Sequence, residues 1–236
     1  MHENDDIFDY AIAGTNVPAG MELLMGEHGL SLVSDGMELC GDFGHMLSRV
    51  KNGKWQHEML VRAAKPKNLG DTPLAVDATA GLGEDAFLLA AAGFRVCLFE
   101  RDPVIAALLR DAIRRALRDE ELAEIVSRME FVEGDSIVEM PHLPQSPDVV
   151  LLDPMFPAKR KDAVSKKKLQ MLQHLERPCE DETALMHAAM AAHPRKIIVK
   201  RPLKGPFLAG VKPDYSLKGK TIRYDCYVYA PSDGVV

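Results

Sequence analysis

The chain has 236 residues, 47% of them apolar, and a formal net charge of −6. That length supplies one sizeable core with a small appended lobe. No run of 18 apolar residues is present, so no helical membrane span is expected, and the four scattered cysteines (Cys40, Cys97, Cys179, Cys226) read as reduced thiols rather than as a disulfide frame or zinc site.

The charge is uneven along the chain. Residues 1–70 carry 6 basic and 10 acidic groups, residues 71–153 carry 7 and 17, and residues 154–236 carry 16 and 8. A polyanion responds to the local field, so the C-terminal third is a candidate nucleic-acid face despite the negative total. The first ten residues, MHENDDIFDY, lack the basic-then-apolar pattern of a leader, which predicts a cytoplasmic protein.

Residues 1–70 are predicted to form a small N-terminal α/β lobe. Leu30–Val33 and Met37–Cys40 read as two strands around a Ser34-Asp35-Gly36 turn. Residues 54–64 read as a helix, and Lys65–Asp71 as a linker. From residue 71 to 236 strands and helices alternate, the signature of a mostly parallel α/β sheet with helices on both faces. Strands are predicted at 74–78, 95–99, 130–132, 149–152 and 197–199, with a closing β hairpin over Ile222–Tyr229. Helices are predicted at 84–92, stopped by Gly93, at 103–118, opened by Pro103, and at 163–176 and 180–192.

Two segments at strand ends carry chemistry. The first is Val76-Asp77-Ala78-Thr79-Ala80-Gly81-Leu82-Gly83-Glu84-Asp85. Gly81 and Gly83 permit a tight turn with the main chain open to a ligand, and the following helix begins with unpaired N–H groups. The third glycine of G-x-G-x-x-G is missing, and Glu84 and Asp85 put negative charge where a pyrophosphate would lie. A ligand with a cationic sulfonium and an amino group suits the turn better, which weighs against a nicotinamide oxidoreductase. Glu100, at the end of the second strand, is placed to accept ribose hydroxyls. Arg101 flanks the adenine in this reading, Asp135 and Ser136 follow the third strand near it, and Asp77, Gly81 and Gly83 at the end of the first strand are further candidate cofactor contacts.

The second segment is Asp153-Pro154-Met155-Phe156-Pro157, at the C-terminal edge of the fourth strand, where open α/β sheets bind ligands. An exocyclic base amine is a weak nucleophile because its lone pair is delocalised into the ring. Asp153 and the Pro154 carbonyl can accept its N–H groups, Phe156 can stack on the base, and the prolines fix the backbone. Together the segments suit S-adenosylmethionine-dependent methylation of such an amine by in-line displacement, with alignment supplying much of the rate. No metal is required, and the histidines show no ligand spacing. Lys159, Arg160, Lys161, Lys166, Lys167 and Lys168 follow the second segment, and Lys200, Arg201 and Lys204 follow the fifth strand. These cations are predicted to meet RNA phosphates, with the target base unstacked to reach Asp153.

VDATAGLGEDAF, FERDP, LLDPMFPAKRKDAVSKK and IIVKRP together resemble the ribosomal RNA small subunit methyltransferase J family over residues 74–230. The resemblance implies a Rossmann-like class I methyltransferase with a seven-stranded sheet, S-adenosylmethionine as cofactor, and methylation of N2 of a guanine in 16S rRNA, free or within the 30S subunit. By matching position it puts cofactor contacts on Glu84, Asp85, Glu100, Arg101, Asp135, Ser136 and Asp153. Glu84 stands where the family often has arginine, and Asp135 where it often has serine. An N-terminal glycine- and arginine-rich stretch is replaced by His45–Lys54 and Trp55. Two other readings of the layout are an amine methyltransferase on DNA adenine N6 or protein glutamine, from whose Asn-Pro-Pro-Tyr the segment departs, and a non-catalytic RNA-binding protein.

Overall fold

A computed structural model describes residues 17–65, 72–154 and 181–229. The first 49 of these open with a three-stranded antiparallel sheet, β1 (Glu22–Gly26), β2 (Gly29–Ser34) and β3 (Met37–Cys40), in that spatial order. Asp35 and Gly36, with φ of 48° and 70°, make the turn between β2 and β3, the positive-φ pair a two-residue hairpin demands. β1 was not anticipated: its side chains are almost all exposed, so it carries no buried alternation to read.

The helix expected over 54–64 is shorter than predicted. Lys51–His57 is a 3₁₀ stretch interrupted by positive φ at Asn52 and Gly53. Glu58 is extended, its carboxylate taken by the Arg49 guanidinium at 2.9 and 2.7 Å. Regular helix begins only at Met59 (α2, Met59–Ala64), after the single turn α1 (Leu47–Val50).

The remaining strands are β4 (Leu74–Asp77), β5 (Arg95–Glu100), β6 (Met129–Glu133), β7 (Val149–Leu152), β8 (Lys196–Pro202), β9 (Tyr215–Lys218) and β10 (Ile222–Val228). They form one seven-stranded sheet in the order β6-β5-β4-β7-β8-β10-β9. All neighbours are parallel except β10, which is antiparallel to β8 and β9. This is a Rossmann-like sheet, whose strand order reverses direction beside β4. The helices are α3 (Glu84–Ala91), α4 (Pro103–Ala116), α5 (Ala123–Val126), α6 (Ser136–Glu139) and α7 (Glu182–Ala191). Asp102 caps α4 by accepting the Val104 and Ile105 N–H groups, with Pro103 in the first turn.

Strand parity divides the core. Ala75, Val96, Leu98, Val149, Leu151, Ile198, Tyr224 and Cys226 face α3 and the inner side of α4. Val76, Cys97, Phe99, Val150, Leu152, Ile197, Val199 and Tyr227 face α7. The N-terminal segment splits between two packing units. Leu30, Leu32 and Leu39 of the small sheet pack on Val104, Ile105 and Leu108 of α4, whereas Phe43, Met46, Val50 and α2 join the α3 face of the large sheet. Asp111 of α4 pins the small sheet by accepting the Leu30 N–H at 2.9 Å, while also holding Arg114 and Arg115. Cys179 and the helix expected at 163–176 lie outside the described residues.

Candidate active site

The glycine turn sits between the C-terminal ends of β4 and β5. Gly81 and Gly83 adopt φ of 54° and 79°, values that only glycine takes without strain. Side chains and main chain hold the turn from three sides. Ala80 N–H donates to Phe99 O (3.0 Å), Ala78 N–H to Leu151 O (3.0 Å), and Gly81 N–H to Glu100 Oε2 (3.0 Å). The other Glu100 oxygen accepts from Asp102 N–H at 2.8 Å. Glu100 is therefore first a clamp between the turn and the start of α4, and burial pushes its carboxyl above the usual range. With Arg101 N–H also bonding it, the carboxylate retains one acceptor position for a ribose hydroxyl.

Parity brings a polar cluster together on the α3 face of the same edge. Asp77, Asp153 and Lys200 continue the registers of Ala75, Leu151 and Ile198. Lys200 Nζ lies 2.7 Å from Asp85 Oδ2 and 2.8 Å from Asp153 Oδ2, bridging α3 and the end of β7. Burial alone would depress Lys200, but Asp85 and Asp153 outweigh it and hold the ammonium above its ordinary range. Burial pushes Asp153 up, against the pull of Lys200 and with a further push from Asp85. Asp77 is fully enclosed, and burial, reinforced by Asp85, pushes it to about 8.

Two residues without an assigned role in the sequence reading complete the site. Thr79 Oγ1 accepts the Asp153 N–H at 2.7 Å and so fixes the end of β7 against the glycine turn. Tyr224, the β10 partner of Lys200, is buried beside the cluster; burial and then Asp85 raise its hydroxyl. Only Tyr224's place one register step beyond Cys226 on the α3 face would have marked it.

The other candidates divide. Glu84 is exposed and meets His45 at 3.2 Å, so the N-terminal segment reaches the site. Asp135 caps α6 by accepting the Ile137 N–H at 2.9 Å and lies 3.6 Å from Arg101, leaving Arg101 partly exposed beside it. Ser136 is buried next to them, and so is Pro154 beside Asp153. Two RNA-contact expectations are corrected. Arg201 has no exposed side-chain surface: it points to the α7 face and pairs with Glu182 at 3.1 Å. Lys200 is committed to Asp85 and Asp153 inside the site, so neither is a surface cation for phosphates. Lys204 remains exposed at this edge. Phe156, Lys159, Arg160, Lys161, Lys166, Lys167 and Lys168 lie outside the described residues. Among the described residues no three His, Cys, Asp or Glu side chains group as a metal site, and no helix is long and apolar enough to cross a membrane.

The residues present fit a cationic adenosyl donor: an open glycine turn, a carboxylate at the end of β5, and two carboxylates, Asp85 and Asp153, sharing one lysine beside the buried Asp77. A family model described as SAM-dependent methyltransferase matches residues 14–229. The chain belongs to the S-adenosylmethionine-dependent methyltransferases. Its relatives narrow this further. It is 39% identical over 226 residues to the ribosomal RNA small subunit methyltransferase J of Thioalkalivibrio sulfidiphilus, covering 92% of this chain and 88% of that one. It is 42% identical over 210 residues to the protein of the same name from Pseudomonas aeruginosa, covering 86% and 80%. A crystal structure of the SAM-dependent methyltransferase NGO1261 from Neisseria gonorrhoeae superposes with a TM-score of 0.72 at 33% identity, covering 93% and 87%. The chain is a member of the ribosomal RNA small subunit methyltransferase J family, and S-adenosylmethionine is its cofactor.

Proposed function

We propose that this enzyme methylates the exocyclic N2 of one guanine in 16S rRNA, free or within the 30S subunit, in the cytoplasm. The observation that carries the reading is Asp153, tied through Thr79 to the glycine turn and facing the same edge as Asp77, Asp85 and Glu100. The bound cofactor supplies an electrophilic methyl group on a sulfonium. Asp153 and the Pro154 carbonyl accept the two N–H groups of the guanine amine and aim its lone pair. As the N–C bond forms and the S–C bond breaks, the amine becomes cationic, and Asp153 takes the surplus proton. Orientation is the main contribution of the protein, aided by carboxylates that stabilise positive charge on the amine. Glu84, Asp85, Glu100, Arg101, Asp135 and Ser136 hold the cofactor, Asp77 shapes the turn, Phe156 stacks on the base, and Lys159, Arg160, Lys161, Lys166 and Lys167 meet phosphates. Residues 1–70 act as a lobe appended to the methyltransferase domain of residues 71–236.

The test is nucleoside mass spectrometry of 16S rRNA from a strain lacking the gene. N2-methylguanosine falls by one residue per 16S molecule, and the wild-type gene restores it. Asp153→Ala does not restore it and lowers turnover in vitro by about 10³-fold, the loss seen when a group acting on transition-state charge is removed, while S-adenosylhomocysteine still binds. Unchanged N2-methylguanosine in the deletion strain overturns the guanine assignment, and a fully active Asp153→Ala overturns the site.

A further inference from the structure

Lys200 stands out among the described cations because it alone bridges two carboxylates of the site. Arg49 is chelated by Glu58 at 2.9 and 2.7 Å, and Arg201 and Arg223 are sealed on the far face. Lys200 alone projects into the carboxylate cluster, a quarter exposed, with Asp85 at 2.7 Å and Asp153 at 2.8 Å.

The geometry points to Lys200 as a positioning residue for methyl transfer, which fixes the Asp153 carboxylate as the acceptor of the substrate amine. This rests on the assignment of Asp153 to the amine. Two constraints converge on Asp153. Thr79 holds its backbone, and Lys200 holds one carboxylate oxygen, leaving Oδ1 as the oxygen free to meet an N–H. Lys200 is itself held at a second point by Asp85, on a helix, so its ammonium is anchored rather than swinging on its four-carbon stem. Without it, Asp85 and Asp153 face each other beside the buried Asp77 with no interleaved cation. Asp153 then rotates away or takes up a proton, and a protonated acid is a poorer acceptor. The charged and titratable groups that bear on Asp153 are Lys200 and Arg201 from β8, Asp85 from α3, Asp77 from β4 and Tyr224 from β10, with Glu84 and Arg49 beyond them beside Asp85.

The experiment measures single-turnover methylation of under-methylated 30S subunits against pH for wild type, Lys200→Met, Lys200→Arg, Asp153→Asn and Asp77→Asn, with S-adenosylhomocysteine affinity by calorimetry. Lys200→Met lowers the maximal rate about 100-fold, the scale of an acceptor misplaced by about 1 Å. Its acidic limb moves up by at least about one pH unit, because the neighbouring cation that favours the ionised acid is gone. Its affinity for S-adenosylhomocysteine stays within about threefold, marking a loss confined to the transfer step. Lys200→Arg restores most of the rate and the original limb, which a packing role would not require. Asp77→Asn identifies any limb that belongs to Asp77. Thermal unfolding verifies that each variant is folded, and Lys200→Gln replaces Lys200→Met if the latter is not. A rate within about threefold of wild type, or a slow variant whose limb does not move, overturns the role of Lys200. A fully active Asp153→Asn overturns instead the reading of Asp153 on which it rests.

Discussion

Lys200 and Arg201 are consecutive on β8 and serve opposite purposes. On the α7 face, the buried charges among the described residues are matched. Arg201 pairs with Glu182, which also accepts the Ala209 N–H at 3.2 Å. Arg223 pairs with Asp225 at 2.8 Å and donates to the carbonyls of Pro202, Leu203 and Gly205 at 2.9, 3.0 and 3.0 Å. Asp225 is wholly buried and also accepts from Ser216 at 2.5 Å. On the α3 face, Asp85 and Asp153 share the ammonium of Lys200, and Asp77 lies buried beside them. The saturated face holds the loop after β8 in place. The unsaturated face keeps spare acceptors and an excess of negative charge, which is what a cationic methyl donor and an amine substrate need.

Removing a partner from each face separates the two roles. The largest effect on stability belongs to Arg223→Met, which strands Asp225 without its cation and takes one donor from the carbonyls of Pro202, Leu203 and Gly205, of which Pro202 O still accepts the Gly205 N–H. Breaking a buried pair on one side costs about 3–5 kcal/mol, read as a drop in the thermal midpoint. The fraction that remains folded turns over normally. Lost turnover with an unchanged midpoint would erase the distinction between the faces. Gly83→Ala sharpens it from the other side. A side chain at φ 79° costs about 1–2 kcal/mol, and the added Cβ falls 2.8 Å from Leu109 Cδ1. This variant loses cofactor affinity as well as stability, because the strained residue is part of the turn. Calorimetry with S-adenosylhomocysteine checks it, and unchanged affinity would detach the turn from the cofactor.

Much of this was legible in the sequence, and the misses have physical causes. The parallel strands announce themselves because both faces are covered, so Val149–Leu152 and Val96–Phe99 read as continuous apolar runs. Strand β8 was foreseen only at 197–199 although it spans Lys196–Pro202. Its flanks are charged, and nothing local says that Lys196 donates to Ala63 O at 2.7 Å or that Arg201 meets Glu182. The same blindness turned Lys200 and Arg201 into surface cations for RNA. A basic residue in sequence carries its charge but not its partner, and here the partners are 115 and 19 residues away. The glycine turn and the places of Glu100 and Asp153 at strand ends were legible because glycines and acids there punctuate the apolar runs. Thr79 and Tyr224 were not, because a neutral residue inside an expected element gives no signal until the register of neighbouring strands is known.

The smallest predicted effect tests the unsaturated face by pH alone. Burial, helped by Asp85 and Asp153 and opposed by Lys200, puts Asp77 at about 8 in the folded protein, whereas an unfolded aspartate titrates near its ordinary value of about 3.9. Between these limits the folded chain keeps a proton that the unfolded chain has released. Stability therefore falls as pH rises through that window and is lowest above pH of about 8. Asp77→Asn keeps an oxygen for the Thr79 N–H, which Asp77 Oδ1 accepts at 3.2 Å, and removes the titration. Its thermal midpoint matches wild type near pH of about 4 and exceeds it above pH of about 8 by at least about 2 °C, the shift about 1 kcal/mol produces in a chain of this size. On the saturated face the same exchange has the opposite sign. Asp225→Asn removes a charge that Arg223 needs, so the midpoint falls. If Asp77→Asn were also destabilised above neutrality, the carboxylates around Lys200 would be as well matched as those around Arg223, and the excess negative charge assigned to the active edge would not exist.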